Sequence, residues 1–151
     1  MTLPAATTLS PSTPASIPAS TSLSSLSVLL IDDDPFMHEL LSSMLRKLGI
    51  TRIAIAADGE RGMAAIGSAA GAPDVIVCDL NMPGKDGFEV MEALAARHFG
   101  GSVILLSGMP ERVLNSAALM GRFHHLNVLG VVTKPVSKAA LAGLLGQVKA
   151  K

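Results

Sequence analysis

The feature that most constrains this chain is an alternation. Short apolar runs are each followed by a longer segment whose apolar residues recur at helical spacing. VLLI (28–31) is apolar at every position and ends in acids, as expected of a strand buried on both faces. Asp34-Pro35 then supplies an N-cap and a proline at the first helical position. Phe36, Met37, Leu40, Leu41, Met44, Leu45 and Leu48 follow at helical spacing, and Gly49 provides the stop. The same grammar recurs. ITRIAIA (50–56) reads as a strand and residues 59–70 as a small-residue helix closed by Gly71 and Pro73. DVIVCDL (74–80) reads as a strand, NMPGKDG (81–87) as a turn-rich loop and FEVMEALAARH (88–98) as a helix. SVILLS (102–107) is a fourth strand, Pro110 opens a helix to about Phe123, VLGVVTK (128–134) is a fifth strand, and Ser137 caps a last helix through Leu141, Leu144, Leu145 and Val148.

Five β–α units predict an α/β fold, a doubly wound parallel sheet of five strands with helices on both faces, (βα)5. Residues 27–151 form this domain. Residues 1–26, built largely of Ser, Thr, Pro and Ala without a single charge, bury too little apolar surface to offset their ordering entropy and are expected to be a disordered tail. They lack the basic start and compact apolar stretch of a secretory signal.

Composition narrows the function. Apolar residues make up 49% of the 151 residues and charged residues 16%, enough for a core. A formal net charge of +0 offers no basic excess for nucleic acid or an anionic membrane. With no Trp or Tyr and four Phe, stacking platforms for single strands are not expected. The lone Cys78 excludes an internal disulfide framework and a cysteine-rich zinc site, and suits a reducing cytoplasm. No apolar run approaches the roughly 18 residues a spanning helix needs.

In open parallel sheets chemistry gathers at the carboxyl ends of the strands. Here the first strand ends in Asp32-Asp33-Asp34, the third in Asp79, the fourth in Ser107 and the fifth in Lys134-Pro135. Convergence would crowd carboxylates that disfavour each other's ionisation unless a cation sits among them. An oxygen-rich, water-accessible site suits Mg²⁺. Lys134 would offset further charge, Ser107 would offer a hydroxyl donor, and a carboxylate can act as nucleophile toward a phosphoryl group.

VLLIDDDP, VIVCDLNMPGKDG, VILLSG and GVVTKP, in this order and spacing, resemble the receiver domain of two-component response regulators, and the resemblance covers all but the tail. It implies a flavodoxin-like sheet with strand order 2-1-3-4-5. Asp79 would be the phosphoacceptor, and Ser107 and Lys134 would contact the phosphoryl oxygens. Mg²⁺ would be held by Asp32, Asp33, Asp79 and the backbone carbonyl of Asn81. Gly84 and Gly87 fit the tight loop after Asp79, and Lys134-Pro135 falls where the family often has a cis peptide. The donor implied is a sensor histidine kinase or phosphotransfer protein, and the receiver is a stoichiometric acceptor rather than a turnover enzyme. Its target would be a downstream protein or an output domain outside this chain, with a homodimer as one arrangement and neither nucleic acid nor membrane bound directly. Residues 126–145 are similar to receivers that precede EAL-type cyclic-di-GMP phosphodiesterase domains.

Two positions depart from the family pattern. Val131 stands where many receivers carry an aromatic switch residue. Met109, which with Asn81 flanks the site, cannot hydrogen-bond an attacking water, so a longer phosphoryl lifetime is expected. His38 is expected on the exposed side of the first helix, Cys78 in the core, and His124-His125 at a solvated helix end. Met37, Met44 and Met63 are expected to pack rather than bind a cofactor. Two other readings fit part of the pattern. A haloacid-dehalogenase-like phosphatase is imitated by Asp32-x-Asp34, but needs acids after the lysine, and residues 135–151 have none. A receiver-like interaction module working without phosphorylation has no need of the full set Asp32, Asp33, Asp79, Ser107 and Lys134.

Overall fold

The computed structural model describes residues 23–67, 72–80, 87–108 and 126–148. A short 3-10 turn, Leu23–Ser25, leads into β1 (Ser27–Ile31), followed by α1 (Pro35–Lys47), β2 (Arg52–Ala56), α2 (Gly59–Ile66), β3 (Val75–Asp79), α3 (Gly87–Ala96), β4 (Ser102–Ser107), β5 (Asn127–Thr133) and α4 (Lys138–Leu145). Residues 1–22 of the expected tail, Asn81, Gly84, Met109, the helix from Pro110 and His124-His125 lie outside the described residues, whereas residues 23–26, also expected in the tail, form the 3-10 turn and bury Leu26 in the core.

The five strands form one parallel sheet in the order β2-β1-β3-β4-β5, the flavodoxin-like order expected. Alternate strand residues serve opposite faces. Leu29, Ile31, Ile76, Cys78, Val103 and Leu105 pack with Met63 of α2 and Val90, Met91 and Leu94 of α3. Val28, Leu30, Val75, Val77, Ile104 and Leu106 pack with Met37, Leu41 and Leu45 of α1 and Leu141 and Leu145 of α4. β3 and β4 are buried along their whole length, which is why their sequences read as continuous apolar runs. β2 is an edge strand, largely exposed, and starts at Arg52 rather than Ile50. Ile50 is instead buried in the turn before it.

Helix ends follow the local chemistry of the sequence. The Asp34 side chain accepts from the Phe36 N–H at 3.0 Å, and Pro35 opens α1. At the other end Gly49, at φ +95°, lets its N–H reach the Arg46 carbonyl and the Ile50 N–H reach the Leu45 carbonyl, both at 2.9 Å. This is the paired bonding of a left-handed helix stop. Asp58 caps α2 by accepting from the Arg61 N–H at 2.8 Å, and Ser137 caps α4 by accepting from the Ala140 N–H at 3.1 Å. Phe36 corrects the expected apolar stripe. It is 70% exposed, because it lies about 100° around the helix from Met37, away from the stripe that meets the sheet.

Two glycines mark where elements approach closely. A side chain at Gly62 would meet Ile31 Cδ1 at 2.5 Å, and one at Gly87 would meet the Leu80 Cα at 2.7 Å and the Asp79 carbonyl at 2.8 Å. The second contact seats the start of α3 directly on the end of β3.

Candidate functional site

Hydrogen bonds between neighbouring strands carry the sheet register to the carboxyl ends. The Asp32 N–H donates to the Ala56 carbonyl at 3.1 Å, the Leu80 N–H to the Leu106 carbonyl at 2.9 Å, and the Lys134 N–H to the Ser107 carbonyl at 2.8 Å. A register shift between Val103 and Ile104 aligns Ser107 with Thr133, which puts Lys134 beside the end of β4. The Lys134–Pro135 peptide is cis, as expected. The ends of β1, β3, β4 and β5 thus bring Asp32, Asp79, Ser107 and Lys134 to one place.

The result is a compact charged cluster on an apolar sheet. Asp32, Asp79 and Ser107 are buried, whereas Asp33 is exposed. Lys134 Nζ lies 3.1 Å from Asp79 Oδ2 and 3.6 Å from Asp32 Oδ2. Asp32 Oδ1 accepts the Asp34 N–H at 2.9 Å. Its Oδ2 is buried and has no hydrogen-bond partner among the described residues. Burial pushes the Asp32 carboxyl above its ordinary pKa, and the charges of Asp79 and Asp33 add to this. The Asp34 amide and Lys134 pull in the opposite direction without overcoming it.

One oxygen from each of Asp32, Asp33 and Asp79 can be chosen so that all lie within 4.8 Å of one another. A buried carboxylate oxygen without a hydrogen bond among the described residues, set among hard oxygen donors and open to water through exposed Asp33, fits a hard divalent cation. Among the sequence-predicted ligands, the Asn81 carbonyl lies outside the described residues. Cys78 is fully buried on the face opposite Asp79, as expected. Val131 is partly buried and packs against the core on the α2–α3 face.

One residue near the site departs from its expected place. His38 is half-buried, and its Nε2 bonds the Asp32 carbonyl. Polarity alone assigned it to solvent. The better signal was its position in the first turn of a helix whose N-cap, Asp34, lies two residues from Asp32, because side chains there point back over the preceding loop.

Comparison with known proteins agrees with this geometry. The family described as response regulator receiver domain matches residues 28–145. A probable chemotaxis protein CheY of Rhizobium etli is 30% identical over 130 residues, covering 82% of this chain and 95% of that protein. The cyclic di-GMP phosphodiesterase RocR of Pseudomonas aeruginosa is 31% identical over 129 residues, covering 85% of this chain but 33% of that protein. Among solved structures, a CheY chemotaxis protein of Vibrio cholerae superposes with a TM-score of 0.65 at 26% identity, covering 82% of this chain and 98% of that one. The chain therefore spans nearly the full length of the chemotaxis relative and about a third of the phosphodiesterase. No helix among the described residues is long and apolar enough to cross a membrane.

Proposed function

Because the chain belongs to the response-regulator receiver family, we propose that it accepts a phosphoryl group on Asp79 from a phosphohistidine of a sensor histidine kinase or phosphotransfer protein. The observation that carries this reading is the cluster itself. Asp79 Oδ2 is held 3.1 Å from Lys134 Nζ, beside a buried Asp32 oxygen with no hydrogen bond among the described residues. A purely structural ion pair needs no second buried acid left short of partners.

In the step proposed, an Asp79 carboxylate oxygen attacks phosphorus, the P–N bond to the donor histidine breaks, and the imidazole nitrogen keeps the bonding pair. Lys134 neutralises charge on the transferring group, and the Ser107 hydroxyl donates to a phosphoryl oxygen. Asp32, Asp33, Asp79 and the Asn81 carbonyl would hold Mg²⁺. When bound, that ion supplies the positive charge that lets three carboxylates and a phosphoryl group share one pocket. The chain's contribution is positioning and electrostatics, so it takes one phosphoryl group per molecule rather than turning over substrate.

The acyl phosphate would then alter protein contacts, of a downstream protein or of an output domain. The RocR match, together with the character of residues 126–145, favours an EAL-type phosphodiesterase output, and the cytoplasm is the compartment this requires.

The test is to incubate the full chain with acetyl phosphate and Mg²⁺ and record intact mass beside Asp79→Asn. The expected gain is about 80 Da, dependent on Mg²⁺ and lost in the variant. No gain, with acetyl phosphate or with a competent kinase as donor, sinks the reading in favour of a phosphorylation-independent module.

A further inference from the structure

The backbone of Asp32 is gripped on both sides. Its N–H donates to the Ala56 carbonyl at the end of β2 at 3.1 Å, and its carbonyl takes the bond from His38 Nε2, in the first turn of α1. A carbonyl oxygen can only accept, so Nε2 must carry the hydrogen in this contact. The two bonds fix the peptide planes before and after the Asp32 Cα, and so fix the direction of its Cα–Cβ bond. One carboxylate oxygen is then committed to the Asp34 N–H at 2.9 Å. The other, Oδ2, is left buried, without a hydrogen bond among the described residues, and 3.6 Å from Lys134 Nζ. His38 is itself tied to this loop by its backbone, whose N–H donates to the Asp34 carbonyl at 3.1 Å.

We propose that His38 is a positioning residue. By holding the Asp32 carbonyl, it aims Asp32 Oδ2 into the carboxylate cluster and keeps the Asp32–Asp34 loop in the shape that receives a divalent cation. The inference rests on the Mg²⁺ reading given above. It goes further by assigning a role to a side chain that touches neither the phosphoacceptor nor the ion. Groups that orient metal ligands from behind tune the site, and their loss typically costs ten- to a hundredfold in metal affinity or activity. A bond to the backbone of a ligand should act the same way, because orientation of the carboxylate is what is lost.

The test compares wild type, His38→Gln and His38→Leu as full chains. Glutamine keeps an N–H donor at similar reach, whereas leucine keeps bulk and removes the donor. Two readouts are taken: Mg²⁺ affinity by calorimetric titration, and hydrogen exchange of the Asp34 amide in metal-free protein by NMR. His38→Leu is expected to bind Mg²⁺ about tenfold more weakly and to exchange the Asp34 amide about tenfold faster, with His38→Gln within about twofold of wild type in both. A leucine variant that matches wild type in both readouts overturns the role of His38 while leaving the Mg²⁺ reading intact. Equal loss in both variants also overturns it, by making His38 a packing residue. Wild-type protein that takes up no Mg²⁺ overturns the metal reading and this inference together.

Discussion

The two ends of the sheet treat their polar groups in opposite ways. At the amino end they close on one another. Asp74 Oδ2 accepts the Ser27 N–H at 2.9 Å, and the Asp74 N–H and carbonyl bond the Ser27 carbonyl and the Ser102 N–H at 2.8 and 2.9 Å. Ser102 Oγ accepts from Asn127 Nδ2 at 2.8 Å. At the carboxyl end, carboxylates are gathered until Asp32 Oδ2 has no hydrogen bond among the described residues and its carboxyl holds its proton more tightly than usual. Both ends are built on the same apolar strands, so the difference lies in the polar residues alone. The first end spends its polar groups on holding strands together. The second leaves a buried carboxylate oxygen short of hydrogen bonds among the described residues, which marks it as a candidate site.

The largest expected effects test whether the ends are separable. Gly87 and Gly101 are both places where an added Cβ would strike backbone, at 2.7 Å from the Leu80 Cα and at 2.7 Å from the Asp74 carbonyl respectively. Gly87→Ala and Gly101→Ala should each cost about 1–3 kcal/mol in denaturant unfolding, as overpacking does. Only Gly87→Ala displaces the end of β3, so it alone should slow labelling of Asp79 by acetyl phosphate, by roughly tenfold or more. If both variants label at the wild-type rate, the close seat of α3 on β3 is not what positions Asp79.

Much of this division could be read in the sequence. The four uninterrupted or alternating apolar runs and their terminal acids, Ser107 and Lys134 pointed to the strand ends that the fold brings together, because buried parallel strands write their burial into every residue. What could not be read depends on approach in space. His38 looked like a solvent-facing residue until the first turn of α1 was seen folded over the Asp32 carbonyl. Phe36 looked like core because helical spacing tolerates a neighbour one position off the stripe. Asp74 looked like part of a strand, and its bond to Ser27 exists only once β1 and β3 are side by side.

At the amino end the expected effect is smaller and purely structural. Asp74→Ala leaves the Ser27 N–H without its acceptor, which should cost about 1–2 kcal/mol of stability. Its labelling rate, measured in the same acetyl phosphate assay under conditions where it remains folded, should stay within about twofold of wild type. A large loss of labelling would show that the amino end transmits to the site through β1 and β3, and the comparison between the ends would fail.

The smallest effect runs in the opposite direction and bears on the carboxyl end. Asp32 has its pKa raised in the folded protein, chiefly by burial, above an ordinary value of 3.8. The folded state therefore holds this proton more tightly than the unfolded chain. Its contribution to stability is complete below the ordinary value and is lost as pH rises through the raised one. Metal-free wild type should accordingly lose stability relative to Asp32→Asn as pH increases from 3.8, leaving the variant ahead at neutral pH. Saturating Mg²⁺ should reverse the order, since an ion that binds the folded wild type adds about 2.7 kcal/mol at a hundred times its Kd, and less to a variant with a weakened site. Thermal unfolding across pH, with and without Mg²⁺, measures both. A variant less stable than wild type at pH 7 without metal would mean that burying Asp32 costs nothing, and that the carboxyl end is as well satisfied as the amino end.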